Sequence, residues 1–162
     1  MKIKAFGMIG VAVALLALIV VFPGQARGQF GVAPLGATTI PAGQLIQPAD
    51  LNKLLSVKGA GRPLMLQIGS KLMFDQAHIP GSEYVGPGSN PEGLNALRER
   101  VKALPKGSFI VLYCGCCPWG RCPNVGNAFK TMRELGFTNV KVLYMADNFG
   151  TDWVSKGYPV AH

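Results

Sequence analysis

The segment Ser108 to Tyr113 (SFIVLY) restricts the fold more than any other stretch of this chain. It is apolar, β-branched and aromatic, and polar residues do not alternate with apolar ones. A strand with one wet face alternates, whereas a strand without alternation is covered on both faces, as in the centre of a parallel sheet. Parallel strands need crossover connections, usually helices, so helical stripes should flank this run on both sides.

They do. Before it, Asn90 is a good helix cap with Pro91 in the first turn, Leu94, Leu97, Val101 and Leu104 mark a buried face, and Pro105 and Gly107 end the helix. After it, Val125, Ala128, Phe129, Met132 and Leu135 form one stripe that closes at Gly136, and Val140 to Met145 reads as another strand. Upstream, Leu51, Leu54 and Leu55 follow Pro48 and Ala49 as a short helix stopped by Gly59. Pro63 to Ile68 (PLMLQI) reads as a short buried strand, followed by a loop containing Ala77-His78-Ile79-Pro80-Gly81. Strands alternating with helices predict a single α/β domain with a central parallel sheet, right-handed crossovers and helices on both faces. In such sheets reactive groups gather at the carboxyl ends of the strands, where Cys114 lies.

The N-terminus is of a different kind. Lys2 and Lys4 precede an uncharged run from Ala5 to Phe22 that breaks at Pro23 and Gly24, the layout of a signal peptide over residues 1–28. Small residues place the cleavage point after Ala26 or Gly28, and the segment has no cysteine for lipid attachment. The alternative is an uncleaved membrane anchor, since the run approaches bilayer-spanning length. Residues 29–44 are rich in Gly, Pro, Ala and Thr and read as a linker arm, with the domain spanning 45–162. The expectation is an exported, periplasmic or secreted protein with no stable membrane association after cleavage. The net charge of +8 includes Lys2, Lys4 and Arg27, so the mature domain carries about +5. Its basic residues are scattered, among them Lys53, Arg62, Lys71, Arg98, Lys102, Lys130 and Lys141, which argues against nucleic-acid binding.

All 4 cysteines lie between Cys114 and Cys122, in YCGCCPWGRCPN. A disulfide framework spreads its cysteines along the chain, whereas a tight cluster marks one site. A loop from a strand into a helix N-terminus aims backbone N–H groups and the helix dipole at its centre, which stabilises a thiolate there. Cys122 is placed as the helix cap with Pro123 as the first helical residue. Arg121 adds a fixed charge and a forked donor for an oxyanion. Zinc would require a second pair of ligands, for which only His78 and His162 are available. A soft metal, copper or an iron–sulfur cluster, held by Cys114, Cys116, Cys117 and Cys122 is the alternative use of the loop, with adjacent Cys116 and Cys117 awkward for one ion. Another is a thiol redox switch.

These pieces, in this order, resemble the rhodanese homology domain. The resemblance runs from about Leu45 to Val160. It rests on His78-Ile79-Pro80-Gly81-Ser82, Ile110-Val111-Leu112-Tyr113-Cys114, Leu135-Gly136-Phe137 with Val140, and Trp153 followed by Gly157-Tyr158-Pro159-Val160. It implies a parallel sheet flanked by helices and transfer of sulfane sulfur, through a cysteine persulfide, from a donor such as thiosulfate to a thiol or cyanide-like acceptor. No cofactor is implied. The implied nucleophile is Cys114, directly after the central strand. The family's arginine commonly stands five residues after that cysteine, a spacing that fits Cys116 and Arg121 instead. Cys114 is preferred because the strand end fixes where the loop begins, and Cys116 is the alternative. Gly115, Cys116, Cys117, Trp119, Gly120 and Arg121 are the expected substrate-binding loop for a small sulfur-containing anion. Cys116, Cys117 and Cys122 are candidate resolving or redox thiols. A second departure lies in the early strand, where the family has an acidic residue and an arginine two positions later but this chain has Gln67 and Gly69.

The wide loop also suggests related phosphatases, but neighbouring thiols would trap a phosphatase nucleophile as a disulfide or persulfide. His78 reads as a hydrogen-bonding residue of its loop, not a general base. Trp119 is placed at the pocket mouth or against a partner protein. Trp153 and Tyr158 read as packing, and Asp147 and Asp152 as ordinary loop acids.

Overall fold

The computed structural model describes residues 40–57, 59 and 61–162. The expected export segment 1–28 and the arm up to residue 39 lie outside the described residues. Packing reaches back past Leu45, into the expected arm: Ile40 is buried in the core, Ala42–Gln44 forms a 3-10 turn, and Lys141 Nζ donates to the carbonyl of Gly43. No helix among the described residues is long and apolar enough to cross a membrane.

In chain order the elements are β1 (Leu45–Ile46), α1 (Pro48–Ser56), β2 (Leu64–Gln67), α2 (Lys71–Gln76), β3 (Glu83–Tyr84), α3 (Pro91–Val101), β4 (Ile110–Tyr113), α4 (Pro123–Glu134), β5 (Val140–Leu143) and α5 (Phe149–Asp152). The five strands form one sheet in the order β1-β5-β4-β2-β3, parallel throughout. The chain is thus a single α/β domain built on a central parallel sheet flanked by helices. β4 lies in the middle, and all four of its residues are buried. Asn90 caps α3 by accepting from the Gly93 amide at 2.8 Å, with Pro91 opening the helix.

Side chains alternate across β4, and each face buries its own cluster. Ile110, Leu112 and Cys114 point toward the layer of α3 and α4, with Leu97, Val101, Val125, Ala128 and Met132. Val111 and Tyr113 point toward the opposite layer, with Leu51, Phe149 and Trp153. The two-residue period therefore continues past the strand end and places Cys114 on the side where α4 begins. The Tyr113 hydroxyl pairs with Ser82 Oγ at 2.7 Å and accepts from the Ile79 amide at 3.3 Å, tying the His78–Ser82 segment to the strand end. Burial pushes the Tyr113 phenol up to about 12, although both hydrogen bonds oppose it.

The short elements β1, α2, β3 and α5 have no counterpart in the periodicity. Two-residue strands have no period to read, and α2 and α5 are too short to show a stripe. The long helices α3 and α4 and the buried strands β2, β4 and β5 fall where their residue patterns put them.

Candidate active site

After β4 the chain turns at Gly115, whose φ of +75° lies in the left-handed region that favours glycine. A Cβ there would also meet Phe149 Cβ at 2.6 Å. The Gly115 carbonyl accepts from the Phe149 amide at 3.0 Å, so this residue anchors the loop to α5 and turns away from the thiols. Farther along, the Trp119 amide donates to the Ala146 carbonyl at 3.1 Å, and the indole packs against Tyr144 with ring centroids 5.0 Å apart. The 3-10 turn Trp119–Arg121 then leads to Cys122, which stands before Pro123, the first residue of α4.

These anchors bring the sulfurs together. Cys114 Sγ lies 3.1 Å from Cys116 Sγ and donates to it, and Cys116 Sγ lies 3.2 Å from Cys117 Sγ. The Sγ atoms of Cys114, Cys116 and Cys122 all lie within 4.8 Å of one another. All 4 cysteines are free thiols. Cys114 and Cys122 are buried, whereas Cys116 and Cys117 are partly exposed.

Like charges this close cannot all form, so the cluster holds its charge where donors converge. That place is Cys116. Hydrogen bonds from Cys114 and Cys122 hold its thiol well below the ordinary cysteine range, burial opposes them, and Cys117 and Asn124 add to the lowering. Cys114 is pushed far up because its proton is engaged by Cys116, then by contact with Cys122 and by burial. Burial, followed by the hydrogen bond to Cys116, pushes Cys117 up to about 12. Cys122 is also raised: its hydrogen bond with Cys114 acts to lower it, but the one with Cys116 and burial prevail. The first amides of α4, at Asn124 and Val125, bear on Cys122 rather than on Cys114 or Cys116, and no capping hydrogen bond forms.

Three loop amides depart from the expected ring: those of Trp119, Arg121 and Cys122 donate to the Ala146, Pro118 and Trp119 carbonyls. A side chain adds a donor to the sulfurs. Asn124 Nδ2 lies 3.2 Å from Cys114 Sγ and 3.6 Å from Cys116 Sγ, and its Oδ1 accepts from the Ser89 amide at 2.9 Å. Asn124 is buried and was not among the expected site residues. A signal for it exists: it stands four residues before Ala128 and eight before Met132, on the buried stripe of α4, where an amide needs a partner.

Gln67 and Gly69, the departures at the end of β2 and just after it, acquire a reason. The Gln67 amide, 2 % exposed, donates to the Cys114 carbonyl at 3.4 Å, and its Oε1 accepts from the Gly69 amide at 3.1 Å. A Cβ on Gly69 would meet Cys114 Sγ at 2.7 Å, so the space an arginine stem would take is filled by the thiol. Arg121 and Gly120 are exposed, and Arg121 has no ion-pair partner among the described residues. His78 is held away from this cluster's chemistry: its Nδ1 contacts the Phe74 carbonyl at 2.8 Å, its ring stacks on Phe74, and its backbone bridges Ala161. Trp153 is buried, donates to the Pro159 carbonyl at 2.8 Å and meets Tyr158 edge-on. Asp152 accepts from the amides of Asp147 and Asn148 at 2.7 and 3.0 Å, fastening the turn that enters α5.

Solved structures share this architecture. The solution structure of a rhodanese-like domain from Anabaena sp. is 19 % identical over 73 % of this chain and 78 % of that one, with a TM-score of 0.55. A Bacillus halodurans protein is 22 % identical over 72 % of this chain and 75 % of its own, with a TM-score of 0.54. A thiosulfate sulfurtransferase from Pseudomonas aeruginosa is 21 % identical over 73 % of this chain and 19 % of its own, with a TM-score of 0.53. At these identities the likeness is one of fold. No curated protein matches the chain in sequence. The family described as Rhodanese-like domain matches residues 48–145, more than half of the sequence. With its parallel sheet, its cysteine loop at the end of the middle strand and this match, the chain belongs to the rhodanese-like domain family.

Proposed function

We propose that the protein is a sulfurtransferase in which a cysteine persulfide carries sulfane sulfur from a small anionic donor such as thiosulfate to a thiol. The observation that carries this reading is a partly exposed sulfur, Cys116 Sγ, set among three thiols and the Asn124 amide. A nucleophilic thiol must be both ionised and reachable. Cys114, preferred from the strand register, is only 4 % exposed and serves as donor to its neighbour, so burial and hydrogen bonding favour the alternative, Cys116.

In the first half-reaction the Cys116 thiolate attacks the outer sulfur of thiosulfate. A sulfur–sulfur bond forms to Cys116, the bond to the sulfonate sulfur breaks, and sulfite leaves with the electron pair. The persulfide then carries the single negative charge, and Cys114 and Asn124 donate to it. In the second half-reaction an acceptor thiolate attacks the outer sulfur and Cys116 leaves as the thiolate. Arg121, exposed on the 3-10 turn, is free to meet the donor's sulfonate group. Export through residues 1–28 belongs to the same reading, supported by the charge and apolar layout of that segment.

The test is to incubate the reduced protein with thiosulfate and read its intact mass. Gain of one sulfur atom, removed by cyanide, is expected, with C116S losing uptake and C114S retaining part of it. Full uptake by C116S would refute the assignment of that residue, and no uptake by the unaltered protein would refute the activity.

A further inference from the structure

The thiol cluster has a second property that sulfur transfer does not require. Persulfide chemistry forms its bond at one sulfur, yet here three converge within the connection between β4 and α4: Cys114 directly after β4, Cys116 from the loop and Cys122 from the residue preceding α4. We infer that Cys114, Cys116 and Cys122 form a three-coordinate site for monovalent copper. This inference does not rest on the proposed sulfurtransferase activity.

The geometry is close to what such an ion needs. Metal–thiolate bonds of about 2.3 Å put the sulfurs of a trigonal site about 4 Å apart. The three Sγ atoms already lie within 4.8 Å of one another, and the Cys114–Cys116 pair, at 3.1 Å, must open. The anchors described above hold the ligand-bearing segments in place: Gln67 grips the Cys114 carbonyl, the Gly115 carbonyl is tied to α5, and Cys122 is fixed between the 3-10 turn and Pro123. A site whose ligands are already gathered binds without the cost of ordering a loop.

The donor set selects among ions. Thiolates favour copper(I), zinc and iron–sulfur clusters over harder cations. Zinc in a closed protein site takes four ligands in a tetrahedron, and iron–sulfur clusters take four cysteines. Among the described residues the converging group numbers three. Cys117 touches Cys116 Sγ but is not part of that group, and the two histidines are engaged elsewhere, His78 with the Phe74 carbonyl and His162 with the Gln76 carbonyl. Three converging thiols suit copper(I), which accepts low coordination. The excess negative charge of a trithiolate faces the Asn124 amide and the N-terminal end of α4.

The experiment titrates the reduced full chain, without oxygen, with copper(I) supplied in competition with a chromophoric copper(I) chelator. X-ray absorption reads the number of sulfur neighbours. One copper per chain with three sulfur neighbours is expected, with C122S releasing the ion at a chelator concentration at least tenfold lower and C117S behaving as the unaltered protein. Circular dichroism establishes that both variants are folded, and the absorption result on the unaltered protein stands whether or not they are. No retention of copper against the chelator, a fourth sulfur neighbour, equal loss in C117S or displacement by equimolar zinc would each overturn the assignment. Sulfur uptake from thiosulfate is read on copper-free protein, so either conclusion can fail while the other holds.

Discussion

Replacing Asn124 by alanine removes the side-chain amide that adds to the thiol hydrogen bonds on Cys116. Asn124 Nδ2 reaches Cys114 Sγ at 3.2 Å and Cys116 Sγ at 3.6 Å. A hydrogen bond to a charged group contributes about 1.5–3 kcal/mol. The low end applies, because the contact with Cys116 is long and that thiol is partly exposed, where solvent screens the interaction. About 1.4 kcal/mol corresponds to one pH unit. Removing the donor destabilises the thiolate, so the pH profile of Cys116 alkylation should move upward by about one unit and the rate on its acidic limb should fall about threefold, the lost thiolate outweighing its greater nucleophilicity. The plateau rate should rise about threefold, since a more basic thiolate released from a donor is the better nucleophile. Iodoacetamide labelling, followed residue by residue by mass spectrometry over the pH range in which circular dichroism reports a folded chain, measures this. N124D should move the profile further, because a carboxylate offers no donor and adds like charge beside the sulfur. The alanine change also orphans the Ser89 amide, at a cost of about 1–3 kcal/mol in stability. An alkylation profile that is the same in N124A and the unaltered protein would refute the part assigned to Asn124 in holding the charge on Cys116.

Three further outcomes follow from the packing. G69A drives a Cβ into Cys114 Sγ and Gln67 Nε2, at 2.7 and 2.9 Å. It should cost about 1–3 kcal/mol in urea unfolding and alter thiol labelling as well, whereas a mere surface change would affect neither. Y113F removes the hydroxyl that joins Ser82 and Ile79 to the strand end, and should lower stability by about 1–2 kcal/mol in thermal unfolding, with the alkylation profile of Cys116 retained. Glu83 is held below the usual carboxylate range by its hydrogen bonds to Arg100, one of them 2.8 Å long. Its contribution is therefore present above the unfolded carboxyl value and lost as pH falls through the folded one. Because both side chains are more than a third exposed, E83Q should cost less than about 1 kcal/mol at neutral pH, and the difference from the unaltered protein should vanish in acid.

Periodicity carried the fold because its long elements repeat. Val125, Ala128, Phe129 and Met132 in α4, and Ile110–Tyr113 in β4, state their burial by spacing and composition. β1 and β3, two residues each, carry no repeat and exist because neighbouring strands offer free edges: Leu45 pairs with Val142, and Glu83 with Leu66. In the site, the clustering of the thiols was legible and their division of labour was not. Strand register placed Cys114 at the end of β4, but that same register turned its side chain into the α3–α4 layer, where its hydrogen bond to Cys116, with burial, keeps it protonated.

What the amino-acid sequence determined by itself was local: which runs are strands, which stripes are helices, and that all the thiols share one loop. What only the tertiary structure decided was which groups from separate segments meet. Asn124 from α4 reaches the sulfurs of Cys114 and Cys116, Gln67 from β2 grips the Cys114 carbonyl, and Gly69 leaves the room that Cys114 Sγ fills. The reason is physical: secondary structure follows from interactions a few residues apart along the chain. The charge on a thiol follows from whichever donors packing places within a few ångströms of it, however distant they are in sequence.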